Sequence, residues 1–390
     1  MNTDRPPPLA ADSQRAVRIP PHVDRLALIL QGGGALGAYQ AGVYEGLHAA
    51  GIEPDWIAGV SIGAINGAII AGNPPASRLE RLQAFWSSVT ARPVWPVVAP
   101  DDGVARRWHN DVSSALTVMF GQPGFFTPAR PGPLLSLPGT AAATSFYDTS
   151  PLRTTLEELI DFDRLNDGAA RYACGAVDVQ SGNFVYFDTT STRITVDHVL
   201  ASGALPPGLP MVSIEGRAFW DGGLASNTPL QHVLDNAGTA NTLVFQVDLF
   251  SAPGAVPTDI GSVLNRMKDI QYSSRTRLVT DYYTQHYRLT RILKRVLDKL
   301  DPSELTEEEA LLKTSLSDLP AITIIHLIYR QKLYEGANKD YDFSRASMTE
   351  HWASGLHDTR RTLRHGDWLN VAATEDGVRI HDLHAPTKRR

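Results

Sequence analysis

The sequence predicts a three-layer α/β fold, with a mostly parallel central sheet flanked by helices, followed by a mainly helical C-terminal extension. Three observations predict it. Short apolar runs ending at glycines alternate with helical patterns through residue 89, the order that a parallel sheet with crossover helices requires. Glycine-bearing turns, 31–37 and 59–63, follow the first two of those runs. Beyond residue 251 the alternation gives way to one long helical period, which reads as a different layer of the molecule.

Residues 25–30 (RLALIL) form an apolar run that stops at glycines, as a buried parallel strand does. Residues 38–50 read as a helix closed by Gly51. A second strand spans 56–60, a helix rich in small residues 62–70, and an amphipathic helix 76–89. The uncharged run 56–75 is broken by glycines and serines, so it reads as strand, turn and helix and not as a membrane span. Residues 93–149 carry Trp95, Trp108, Met119, Phe120, Phe125, Phe126 and Phe146 among many prolines and glycines. They form either an ordered insertion packed on the core or a cap whose aromatic side chains line an acyl-chain pocket. Farther on, 151–160 is a helix, 170–179 and 183–187 a hairpin, 195–202 a helix, and 217–220 a strand ending in Asp221-Gly222-Gly223. Thr228-Pro229 starts a helix, and 242–249 is a strongly apolar strand. Residues 260–300 follow one long helical pattern, with an acidic run at 301–309, a strand at 322–329 and a helix at 347–364.

Composition narrows the class. A chain of 390 residues, 43% hydrophobic and 20% charged, buries a large core, and a net charge of −6 gives no case for nucleic-acid binding. The single cysteine, Cys174, excludes an intrachain disulfide and reads as a small buried filler in a strand. The first 24 residues, rich in Pro, Asp and Arg, have no apolar signal core and read as a disordered arm. The expectation is a cytoplasmic protein, with peripheral contact at the inner membrane as an option. The basic stretch 288–299 places Leu289, Ile292, Leu293, Val296 and Leu297 opposite Arg288, Arg291, Lys294, Arg295 and Lys299. It reads as a helix packed on the core or on a second subunit of a homo-oligomer, or as a dock on anionic lipid.

The chemistry concentrates in the turns. In Gly59-x-Ser61-x-Gly63 a serine stands between a strand and a helix. Such a turn forces the serine backbone into a sparsely populated conformation, crowds its glycine neighbours and exposes Oγ at a helix N-terminus. Gly32-Gly33-Gly34 ends the first strand and can turn backbone N–H groups toward a bound oxygen. Each such donor contributes about 3–4 kcal/mol to an acyl-transfer transition state. The alternative for Gly32-x-Gly34-x-x-Gly37 is a nicotinamide-dinucleotide site. That fingerprint also needs an acidic residue ending the second strand, where Gly59 and Ser61 stand instead. For the base, His198, His232 and His326 lie in no catalytic motif, and His48 and His232 read as helix-surface residues. Asp221, at a strand end beside Gly222 and Gly223, is either a direct general base or an ordinary Asp-Gly turn.

Taken in order, G-x-G-x-x-G at 32–37, G-x-S-x-G at 59–63 and D-G-G at 221–223 resemble the patatin-like phospholipases over residues 24–250, as do 201–207 and 225–229. The resemblance implies a serine–aspartate dyad, with Ser61 as nucleophile and Asp221 as base, and an oxyanion hole at Gly32, Gly33 and Gly34. It implies hydrolysis of lipid acyl esters through an acyl-enzyme, with no metal or organic cofactor. The alternative on the same fold is a non-catalytic lipid-binding or scaffolding module. Many members carry Arg or Lys near the position of Leu36, so this chain departs from that pattern with an uncharged residue. The segment after 251 looks like the uncharacterised C-terminal extension of a bacterial subgroup.

Overall fold

In a computed structural model of the chain, the structure describes residues 19–90, 103–316, 319–332, 334–336, 338–365 and 377–382. Most of the expected arm, residues 1–18, and Trp95 lie outside the described residues. Residues 19–24 differ from the expected arm: Ile19 and Val23 pack on the core, and the Asp24 carboxylate accepts the Asn241 N–H at 2.9 Å.

The centre of the molecule is a sheet whose strands are β1 (Arg25–Leu30), β2 (Trp56–Val60), β5 (Arg171–Asp178), β9 (Thr242–Asp248), β10 (Ile322–Ile328) and β11 (Val378–His381). They run parallel in the order β11-β10-β9-β1-β2-β5. The far edge of β5 takes up antiparallel β6 (Phe184–Asp188) and β8 (Arg217–Asp221), and β8 pairs with β7 (Val212–Ile214). β2 and β9 are buried along their whole length, so their apolar runs show no alternation. A separate short hairpin joins β3 (Thr127–Pro128) to β4 (Tyr147–Asp148).

One face of the sheet carries α1 (Ala38–Ala49), α2 (Ile62–Ala71), α3 (Pro75–Ser88) and α7 (Val196–Ser202), which share the larger core cluster. α5 (Ser150–Leu159) and α6 (Phe162–Asn166) contribute to its margin, and α4 (Gly103–Phe120) bonds to the C-terminal segment through Arg106 with Ser347 and Glu350. The other face carries α8 (Leu230–Asp235) and α9 (Ile260–Leu297) over the smaller cluster. This is the three-layer arrangement that the alternation predicts. α9 starts at a capping box, Asp259 with Ser262. The acidic run becomes the N-terminus of α10 (Glu307–Ser315), capped by Thr306 and Glu309, where negative charge meets the positive end of the helix.

The segment after 251 is helical, and it also belongs to the central sheet. The predicted strand at 322–329 is β10, in register with all of β9. β11, four residues long, escapes the sequence reading because so short a run carries no periodicity. The same segment returns through α11 (Arg345–Arg364), which packs closely on α1. Glycines set that distance: a Cβ on Gly42 would lie 1.9 Å from the Trp352 carbonyl oxygen, and one on Gly355 would lie 2.0 Å from that of Tyr39. Either methyl group forces the helices apart, so Gly42→Ala and Gly355→Ala are each expected to cost about 1–3 kcal/mol. Urea unfolding measures this, and unchanged midpoints would contradict the packing.

Candidate active site

The site forms at the carboxyl ends of β1, β2, β8 and β9, where an open parallel sheet leaves a crevice. β2 feeds a sharp turn, and α2 begins one residue later. Between them Ser61 stands at φ 55°, ψ −126°. Among the described residues only Glu215 shares a positive φ without being glycine, and it sits in the tight turn from β7 to β8. The strain at Ser61 costs about 1–3 kcal/mol and persists only where neighbours over-determine it. They do so here. The Ser61 N–H donates to both the hydroxyl and the carbonyl oxygen of Ser202, each at 3.1 Å. The Ser202 hydroxyl in turn donates to the Gly175 carbonyl at 2.6 Å. A Cβ on Gly59 would lie 2.3 Å from the Gly63 carbonyl, and one on Gly63 would lie 2.2 Å from the Leu30 carbonyl oxygen. Glycine at both positions lets α2 seat directly on the ends of β1 and β2.

The glycine-rich loop after β1 is clamped by Asn227. The Gly32 N–H donates to the Asn227 carbonyl at 3.2 Å, and Asn227 Nδ2 donates to the Gly32 carbonyl at 2.9 Å. A Cβ on Gly32 would meet Asn227 Oδ1 at 2.4 Å. The Gly32 N–H, expected among the oxyanion donors, is therefore committed to the protein. The N–H groups of Gly33 and Gly34 have no protein acceptor among the described residues, and both glycines line the pocket. Gly34 has φ 54°, and a Cβ there would lie 2.3 Å from the Asp340 carbonyl oxygen. Gly37 is not part of the lining, and its missing side chain makes room for Ile62, which is.

Gln31 fixes the start of this loop. Its side-chain oxygen accepts the N–H groups of Leu249 and Phe250, at 2.6 and 3.0 Å. Its amide nitrogen donates to the Thr228 hydroxyl and the Tyr272 carbonyl, at 2.9 and 3.1 Å. Its own carbonyl accepts from Gln40 at 2.6 Å, and Gln40 accepts from Asn66 at 2.9 Å. A satisfied buried network of this kind makes the loop rigid. Gln31, Ser202 and Asn227 are not singled out by the sequence. The only available signal is that each is a polar residue beside or within a motif, since their partners are distant in the chain.

Asp221 ends β8 and is buried. Burial pushes its carboxyl up to about 6, against the hydrogen bonds from the Ser61 hydroxyl and the Gly223 N–H, which favour the charged form. The Gly223 donor lies 2.7 Å from Oδ1. A Cβ on Gly222 would lie 2.5 Å from the Gly175 carbonyl oxygen, so β8 can end against β5 only through glycine. Ser61, Asp221, Gly33 and Gly34 thus share one pocket of about 110 Å³.

The remaining wall is apolar. From the 93–149 insertion come Val118, Phe125, Phe126 and Tyr147. Phe125 and Phe126 also belong to the core cluster, so the two expectations for this insertion meet in the same side chains. Trp108, Met119, Phe120 and Phe146 are exposed instead. The C-terminal segment closes the pocket with Tyr272, Asp340, Tyr341 and Phe343. Leu36 is buried in the core and is not part of the lining.

No described histidine lines this pocket. His198 caps α7, accepting the Thr195 N–H on Nδ1 at 3.0 Å. His232 differs from the expected surface residue: it is mostly covered, bonds Asp188 at 2.7 Å and stacks on Tyr186. It also packs edge-on against Trp56, which begins β2, so the pair sits at the opposite end of the sheet from Ser61. His326 lies within β10, beside Gln246 of β9. Cys174 is fully buried, and burial pushes its thiol up to about 12. Among the described residues, no group of three or more His, Cys, Asp or Glu could hold a metal ion, and no helix is long and apolar enough to cross a membrane.

Comparison with known proteins identifies the family. The family model described as patatin-like phospholipase matches residues 28–234, and a second, described as patatin phospholipase (DUF3734), matches 270–375. Patatin-like phospholipase domain-containing protein 7 of Rattus norvegicus is 32% identical over 262 residues, which cover 67% of this chain and 16% of the relative. Lysophospholipase nte1 of Aspergillus oryzae is 25% identical over 240 residues, covering 62% of this chain and 13% of the relative. The chain thus spans only a small part of the length of these curated relatives. Among solved structures, human GIVD cytosolic phospholipase A2 aligns at a TM-score of 0.43 and 11% identity, over 91% of this chain and 60% of that one. With the first model covering more than half of the sequence and the second covering most of the C-terminal segment, the chain belongs to the patatin-like phospholipase family.

Proposed function

We propose that the protein hydrolyses acyl esters of lipids, with Ser61 as nucleophile, Asp221 as general base and the N–H groups of Gly33 and Gly34 as oxyanion donors. One observation carries the reading: a strained serine presents its hydroxyl to a buried carboxylate at the base of an apolar pocket. As Ser61 Oγ bonds to the ester carbonyl carbon, its proton passes to Asp221. The tetrahedral oxyanion rests on the two free amides. On collapse the leaving alcohol takes the proton from Asp221, and the acyl group remains on Ser61. Water then gives a proton to the same carboxylate and attacks the acyl carbon. Release of the fatty acid returns that proton to Ser61.

The surroundings suit this chemistry. A carboxyl at about 6 is ionised at neutral pH yet more basic than an ordinary carboxylate. The apolar walls fit an acyl chain, and the names of the relatives are those of enzymes acting on phospholipids and lysophospholipids. The dinucleotide alternative fares worse. The end of β2, where that fingerprint needs an acidic residue for the ribose, is occupied by the Ser61 turn instead.

Ser61→Ala is expected to abolish both p-nitrophenyl ester turnover and labelling by a fluorophosphonate. A wild-type protein that resists the probe would instead be a non-catalytic lipid-binding module. Because Asp221 must be ionised to act, kcat/KM of the wild type should fall about tenfold per pH unit below pH 6. A profile flat to pH 5 would remove Asp221 from the reaction.

Stability should respond in the opposite sense. The folded carboxyl sits above its unfolded value of 3.8, so folding loses stability as pH rises from about 4 to 6, on the order of 3 kcal/mol in full. Asp221→Asn removes that loss. The variant should be inactive yet more stable than wild type at pH 8, by a margin that narrows toward pH 5. Denaturant unfolding at the two pH values tests this, and a destabilised Asn variant at pH 8 would contradict it.

A further inference from the structure

The mouth of this pocket is bordered by a helix that is inside out. Along α4, Arg106, Asn110, Ser114 and Thr117 are buried. Arg106 donates to the Ser347 hydroxyl and to Glu350, at 3.2 and 3.1 Å. The apolar stripe, Trp108, Val112, Leu116 and Met119, faces solvent, with Trp108 71% and Met119 66% exposed. A helix at the surface of a globular domain ordinarily does the reverse.

A second apolar element stands beside it. β3 and β4 pair at the base of the 129–146 loop, and Ala129 N–H donates to the Phe146 carbonyl at 2.9 Å. Beyond that base the chain exposes Leu134 by 96%, Leu135 by 84% and Leu137 by 77%. The Tyr147 hydroxyl donates to the Val118 carbonyl at 2.6 Å, which ties this base to the end of α4. Val118, Phe126 and Tyr147 all line the pocket, so both apolar surfaces are continuous with its wall. Charge is missing here too: in a chain that is 20% charged, Arg130 is the only charged residue from 112 to 147.

We propose that the outer face of α4 and the 129–146 loop seat on a phospholipid bilayer, holding the pocket mouth at the acyl-chain boundary. This inference rests on the reading of the pocket as a site for lipid esters. Exposed apolar area of this extent next to a site needs a partner. A surface with an outward apolar helix and almost no charge matches the headgroup–acyl boundary, where such helices lie flat. The basic stretch 288–299 is the rival dock. Arg291 donates to the Pro320 carbonyl at 3.0 Å, just ahead of β10, and Lys294 pairs with Asp298. That end of α9 therefore lies at the amino ends of the parallel strands, while Ser61 lies at their carboxyl ends. Docking there would point the pocket away from the lipid.

The test uses full-length Ser61→Ala protein, so that binding is read without turnover. Cosedimentation with phosphatidylcholine vesicles is expected, with little dependence on salt. Changing Leu134, Leu135 and Leu137 together to serine should weaken it by about tenfold for each leucine. The same three changes in the active chain should leave p-nitrophenyl butyrate turnover unaltered, since none of these leucines lines the pocket. Trp108→Gln with Met119→Gln provides a second variant should the triple one misfold. Arg288→Glu with Arg295→Glu should bind as the parent does. Binding that is absent, that survives the serine changes, or that is lost with the arginines overturns the proposal. So does a dimer in sedimentation velocity that the serine changes dissociate, with no vesicle binding, because the patch then covers a second copy. If wild type fails on the soluble ester while the Ser61→Ala protein still binds vesicles, the catalytic reading fails and the docking surface stands.

Discussion

The Ser61 turn is the constraint on which the rest of the site depends. Its backbone, φ 55° and ψ −126°, is one that an L-residue adopts only under compulsion. The compulsion comes from three directions. Ser202 holds the N–H, α2 starts at the next residue, and Gly59 and Gly63 let that helix sit directly on the strand ends. Relaxing any of these would swing Oγ away from Asp221. Position in the sheet does the rest: β2 brings the serine and β8 brings the aspartate, with only β5 between them.

The proposed base and the loop proposed to hold the oxyanion both depend on neighbours whose own hydrogen bonds are committed. Asn227 takes the Gly32 amide, which leaves the next two amides for a ligand. Gly223 and Ser61 share the Asp221 carboxylate, and burial raises its basicity. Destabilising the charged form costs the fold free energy and, in the proposed mechanism, provides a base suited to neutral pH, the usual relation between stability and activity at such sites. The C-terminal segment is tied into this arrangement. It extends the sheet through β10 and β11, clamps α1 through α11, and supplies Asp340, Tyr341 and Phe343 to the pocket.

Much of the sheet was legible in the sequence because buried parallel strands leave uniform apolar runs, as in 25–30, 242–249 and 322–329. The glycines around Ser61 were legible because a strand-to-helix turn restricts residue size. The division of labour within the glycine loop was not, since Gly32 and Gly33 look alike until Asn227, far along the chain, takes one amide. His232 misled for the same reason, because its partner Asp188 lies on another element. The α4 stripe has ordinary amphipathic spacing, and spacing alone does not say which face is turned inward. That depended on Ser347 and Glu350, which receive Arg106.

A double-mutant cycle tests the central claim, that Ser61 and Asp221 act as one unit, most directly. kcat/KM for a soluble ester would be measured in wild type, Ser61→Ala, Asp221→Asn and the double variant. Residues of one catalytic unit are strongly non-additive, so the double variant is expected to retain the same residual rate as Ser61→Ala alone. A double variant slower than Ser61→Ala by the full factor that Asp221→Asn imposes on wild type would mean that the carboxylate acts independently of the serine, and would contradict the account.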